Sequence, residues 1–237
     1  QDAQIIGLVS VAHLISHFSQ LLLPPLFPWL KEALGASYTE LGFLMTVFFV
    51  VSGAGQATAG FVVDRLGARR VLFVSLTLFL MACLAAAVSA SYAGLMLVAV
   101  LAGLGNCAFH PVDFTILNQR VSAPRLGYAF SAHGLTGNLG WALAPVFLVG
   151  IGALAGWRMA YGAAAGLYAV VLVVMWVHRE RLRTEVVTRA PDAAPGSDLA
   201  FMKLPVVWWC FGFFLLSTMT LAVVQSFSVA ILKALHG

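Results

Sequence analysis

Seven apolar runs, each about twenty residues or more and separated mostly by short polar turns, constrain this 237-residue chain more than any other feature. A helix rises about 1.5 Å per residue, so a run of that length crosses some 30 Å of hydrocarbon with its backbone amides satisfied internally. The runs lie at 4–30, 39–63, 70–90, 92–117, 125–153, 157–178 and 205–233 and are designated spans one to seven. With 61% hydrophobic and 9% charged residues, the chain lacks the charge to coat a soluble globule, which uses about 25%. The short alternating segments of an outer-membrane barrel are absent. The expected fold class is an all-α integral membrane protein in contact with the lipid bilayer.

The net charge of +4 does not point to nucleic acid, because the basic residues alternate from loop to loop. The loops around 64–70, 118–125 and 179–204 hold ten of the thirteen Lys and Arg residues, and the opposite side holds Lys31, Arg158 and Lys233. The positive-inside rule makes the ten-residue side cytoplasmic, with the N-terminus inside, in what reads as a bacterial inner (plasma) membrane. Cys83, Cys107 and Cys210 sit singly in apolar runs, without metal or redox spacing, and read as small hydrophobes. No Lys or Arg precedes the first run, which also exceeds a signal-peptide core. The chain starts at Gln1 rather than Met, so some N-terminal residues are expected to be missing.

Residues 181–204, with Pro191, Pro195 and Gly196, read as a cytoplasmic linker. Residues 1–180 then make a six-helix bundle, and 205–237 the first helix of a second bundle. Spans one and four both carry ionisable residues in mid-run, and spans two and five both carry small-residue stripes. Spans one to three and four to six are therefore expected to be two copies of one three-helix unit, as in secondary transporters with sites near the midplane.

The polar residues follow that repeat. In span one, His13, His17 and Gln20 fall within about 60° of one another on a helix. A polar stripe facing lipid costs several kcal/mol, so this one faces protein or a water-filled cavity, either gluing helices or lining a pathway. Pro24, Pro25 and Pro28 end or kink the helix beyond it. In span two, Gly53, Gln56 and Gly60 share a face that reads as close helix packing. In span four, Asn106, His110 and Asp113 share a face, and a carboxylate three residues from an imidazole can pass it a proton. So close to the cytoplasmic end, Asp113 also reads as a solvated interfacial acid. Pro111 is expected to loosen the helix beside this pair. In span five, His133, Gly137, Gly140 and Ala144 lie within about 40° of one face, ahead of Pro145. Trp157 and Trp176 read as interface anchors at the two ends of span six.

The turn between spans two and three reads Gly60-x-x-x-Asp64-Arg65-x-Gly67-x-Arg69-Arg70. It resembles the cytoplasmic loop signature of the major facilitator superfamily at every specified position. The resemblance implies that Asp64 and the arginines form a charge and helix-dipole latch that makes and breaks during alternating access, and that the latch reaches a second bundle. The line Gly137, Gly140, Ala144, Pro145 resembles a reduced form of the superfamily's antiporter signature. Ser10-x-x-His13-Leu14, Phe109-His110-Pro111 and Gly137-Asn138-Leu139-Gly140 are similar to the fosmidomycin-resistance drug-efflux branch. That branch carries a carboxylate where this chain has Val112.

The expected function is secondary active transport of a small solute, proton-coupled and outward, by alternating access. His13, His17, Gln20, His110, Asp113, His133 and Asn138 form the expected substrate or proton pathway. The alternative is a non-transporting scaffold or assembly subunit of a larger membrane complex. No nucleophile elbow, metal spacing or phosphate-cradling loop indicates an enzyme, and no cofactor or metal is expected.

Overall fold

The computed structural model describes residues 1–186 and 202–236, so most of the expected linker 181–204 lies outside the described residues. Among the described residues, seven helices or helix pairs are long and apolar enough to cross a membrane. Span one is α1 (Asp2–Gln20), a 3-10 turn at Pro24–Leu26 and a short α2 (Phe27–Leu34). The tandem prolines supply no amide hydrogens, which breaks the helix where the sequence placed the kink. Gly35, at φ 65°, then releases the chain.

Span two is α3 (Tyr38–Leu66), opened by a reciprocal cap: the Glu40 amide donates to Ser37 Oγ, and the Ser37 amide donates to the Glu40 carboxylate at 2.7 Å. Gly67, at φ 83°, makes the immediate reversal into α4 (Ala68–Val88), span three. Span four is interrupted. α5 (Tyr92–Asn106) stops, and α6 (Phe109–Arg120) starts after the two residues Cys107 and Ala108. Pro111 causes the break, since its ring clashes with the Cys107 carbonyl four residues back and offers it no hydrogen. Spans five, six and seven are α7 (Leu126–Ala155), α8 (Trp157–Val177) and α9 (Pro205–His236).

α1 packs along α7, α3 along α5, and α4 along α8. Exchanging spans one to three for four to six turns the one–five contact into four–two and leaves three–six unchanged, as a bundle of two repeated three-helix units requires. Glycine makes the closest approaches. At Gly140 a β-carbon would strike the carbonyl of Leu14, and at Gly103 it would lie 2.8 Å from the carbonyl of Phe48. The face expected to pack span two behaves differently: Gly53 and Gln56 are exposed, and nothing lies within 4 Å of a β-carbon built at Gly53 or Gly60. The glycines of α3 that meet neighbours are Gly55, against Cys107, and Gly42, against Phe227 of the seventh span. α9 rests mainly on the prolines and α2, with Lys233 3.5 Å from Glu32 and Phe227 against Gly42 of α3, and among the described residues it buries Ser226 and Ala230.

We predict that Gly140→Ala lowers the thermal midpoint in detergent by the equivalent of about 1–3 kcal/mol, the usual cost of overpacking. Gly53→Ala should leave the midpoint unchanged. Equal midpoints for the two variants would contradict the close α1–α7 packing.

Candidate functional site

The ionisable residues of three spans meet in one place. α1 brings His13 and His17, one turn apart and both buried, and the Ser16 hydroxyl donates to the His13 carbonyl at 2.8 Å. α6 brings His110 and Asp113 on its first turns, just past the break. α7 brings His133, on the same buried face as Gly137, Gly140 and Ala144. That glycine face lets α1 lie against α7: a β-carbon at Gly137 would stand 2.8 Å from His13 Nε2 and 2.9 Å from His17 Cε1.

Asp113 is 0% exposed and is the centre of the cluster. Its Oδ2 accepts from His13 Nδ1 at 3.2 Å and from His133 Nε2 at 3.1 Å. Its other oxygen has no hydrogen-bond partner among the described residues. The His13 and His133 rings stack, with centroids 3.4 Å apart. His17 lies 4.3 Å from His13 by ring centroid, and neither of its nitrogens has a partner among the described residues. His110, half-buried, lies 5.3 Å from His13, and its Nδ1 is also unpartnered. One nitrogen from each of His13, His110 and His133 falls within 4.8 Å of the others, so the set has the ligand types of a metal centre although no sequence spacing announced one.

An amide layer adjoins the cluster. Trp141, 4.4 Å from the His17 ring, donates its Nε1–H to Gln20 Oε1 at 3.0 Å. Gln20 Nε2 donates to Asn106 Oδ1 at 3.4 Å, and Asn106 Nδ2 donates to Ser52 Oγ at 2.7 Å. The layer therefore ties spans one, two, four and five through side chains.

At the turn between spans two and three, Arg69 Nη1 donates to Glu180 at 2.9 Å and the Ala68 amide donates to Thr184 Oγ1 at 3.1 Å. The start of span three is thus tied to the segment after span six. Asp64, Arg65 and Arg70 are exposed at this turn, around Gly67.

The profile of the Major Facilitator Superfamily matches residues 9–236. The chain belongs to the major facilitator superfamily. The Fosmidomycin resistance protein of Escherichia coli (strain K12) is 26% identical over 170 residues, which cover 71% of this chain and 42% of the relative. The uncharacterized MFS-type transporter YfnC of Bacillus subtilis (strain 168) is 27% identical over 142 residues, 60% of this chain and 34% of the relative. Among solved structures, a bacterial homolog of the human lysosomal transporter Spinster, inward-facing and unoccupied, aligns with a TM-score of 0.77 at 12% identity, over all of this chain and 56% of that one. This facilitator chain spans less than half the length of the curated relatives it matches.

Within this major facilitator bundle, the structure brings together His13, His17, His110, Asp113 and His133, and links Gln20 to the amide layer. It leaves Asn138 exposed, one residue round the helix from Gly137 and apart from the cluster. Asp113 is not solvated at the cytoplasmic end: α6 continues to Arg120, which leaves the carboxylate fully buried. Its hydrogen-bond partners are the imidazoles of spans one and five, not the neighbouring His110. Trp141 escaped the sequence reading. A tryptophan in mid-span, away from the interfaces where tryptophans gather, was the available signal.

We predict that Asp113→Ala, which strands two buried imidazole N–H groups, destabilises the detergent-solubilised protein by about 3–5 kcal/mol, measured by thermal unfolding. Asp113→Asn, which keeps one acceptor oxygen, should cost less than half of that. A neutral alanine variant would overturn the central placement of Asp113.

Proposed function

We propose that this chain is the N-terminal bundle, residues 1–180, the linker 181–204, and the first helix of a second bundle, 205–237, of a secondary active transporter in a bacterial inner membrane. It moves a small solute outward by alternating access, coupled to protons, with its N-terminus in the cytoplasm. The observation that carries this reading is the buried Asp113 shared by His13 and His133. Ionisable groups inside a membrane bundle are costly and mark ion and solute pathways, and this one lies between the first helices of the two repeats and span five. His17, His110, Gln20 and Asn138 extend the pathway in this reading.

The open faces support the rest of it. The small-residue face of α3 and nearly the whole of α9 are exposed, which leaves room for a second bundle to close the path. The turn from Gly60 to Arg70, with Arg69 tied to Glu180, serves as the cytoplasmic latch. Efflux is drawn from the printed names of relatives, among them the Fosmidomycin resistance protein and a Multidrug resistance protein B homolog of Mycobacterium tuberculosis, 28% identical over 149 residues. The arginine-rich loops support the orientation.

The test is flux in proteoliposomes under an imposed pH gradient, using the complete transporter. Asp113→Asn should reduce gradient-driven flux by at least tenfold, and His110→Ala by a smaller factor. Flux equal to the parent in both variants would sink the proton pathway through this cluster, and absence of flux in the parent for a broad panel of solutes would sink transport.

A further inference from the structure

The histidine cluster has more nitrogen donors than its hydrogen bonds use. Asp113 faces Nδ1 of His13 and Nε2 of His133, which leaves His13 Nε2 and His133 Nδ1 outside those hydrogen bonds. His110 makes no hydrogen bond among the described residues, and both nitrogens of the buried His17 lack partners. Four imidazoles gathered around one carboxylate, with so little of their bonding capacity satisfied, form an unusual core for packing alone, where buried polar groups are normally paired.

We infer that His13, His110 and His133 bind a first-row transition-metal cation such as Zn2+ or Co2+. The donor set selects the metal: imidazole suits zinc, cobalt, nickel and copper, whereas calcium and magnesium require oxygen ligands. Nitrogens within 4.8 Å of one another must close to about 3.3 Å, the edge of a tetrahedron with Zn–N bonds of about 2.0–2.1 Å. His110 can make that movement, because it is half-exposed and no hydrogen bond holds its ring. His13 and His133 already lie side by side, their rings stacked at 3.4 Å. Asp113 acts as the outer carboxylate that fixes ligand tautomer and orientation, the arrangement found behind most metal-bound histidines. Its negative charge also offsets half of the cation's charge in a region from which water is excluded.

This inference uses the same residues as the transport reading, but it concerns equilibrium binding and is tested without transport. The complete protein, purified in detergent without a polyhistidine tag, is titrated with Zn2+ by calorimetry and with Co2+ by visible absorption. The expected result is one saturable equivalent per chain and the intense d–d bands of tetrahedral cobalt. His110→Ala breaks no hydrogen bond, so it should fold like the parent, and it should weaken affinity at least tenfold. His133→Ala, if it folds, should abolish the cobalt bands. No saturable binding by the parent, or a loss smaller than tenfold in His110→Ala, overturns the site. Metal binding with no flux would retain the site and remove the transport reading, and flux with no metal binding would do the reverse.

Discussion

One buried carboxylate governs the arrangement of this bundle. Taking an ionised carboxylate out of water costs several kcal/mol unless hydrogen-bond donors are supplied in its place. Asp113 is fully buried, and its donors come from two other helices, His13 of α1 and His133 of α7. The chain therefore has to hold three spans at one depth and in one rotation. The glycines of α7 permit this, since side chains at Gly137 and Gly140 would collide with the histidines and the backbone of α1. Ionic chemistry and close helix contact are in this sense a single requirement: the contact brings the imidazoles to the carboxylate, and the carboxylate fixes how the imidazoles point.

The surrounding polar groups extend that requirement outward. Tyr168 of α8 bonds Ser19 of α1, and the Trp141–Gln20–Asn106–Ser52 chain crosses four spans. Without a hydrophobic force between helices in lipid, small-residue contacts and interhelical hydrogen bonds carry association, and most of those described here touch span one. At the turn between spans two and three the Arg69–Glu180 pair is partly exposed and contributes little on its own. Its neighbour, the Ala68 amide bonded to Thr184, satisfies one of the open donors at the start of α4.

Much of this was legible in the amino-acid sequence, for identifiable reasons. Span number and the turn at Gly67 follow from apolar run length and from the Gly60–Arg70 signature, both local signals. The proline break in span one is local too. The partners of Asp113 were not legible: the i, i+3 spacing suggested His110, but the hydrogen bonds go to residues 100 and 20 positions away, which only packing brings near. The small-residue face of α3 misled for a related reason. Small residues show that a helix can be approached closely, not which neighbour does so, and Gly53 and Gly60 meet nothing among the described residues. Asn138 shared a motif with Gly137 but not its face.

The interruption of span four gives that helix a joint. Because the helix stops at Asn106 and restarts at Phe109, α5 and α6 are two helical segments of one span. Asn106, on α5, anchors the amide chain, while His110 and Asp113, on α6, carry the ionisable cluster. Pro111 thus divides the span between two polar layers: the segment before it holds neutral amide contacts, and the segment after it holds the buried carboxylate.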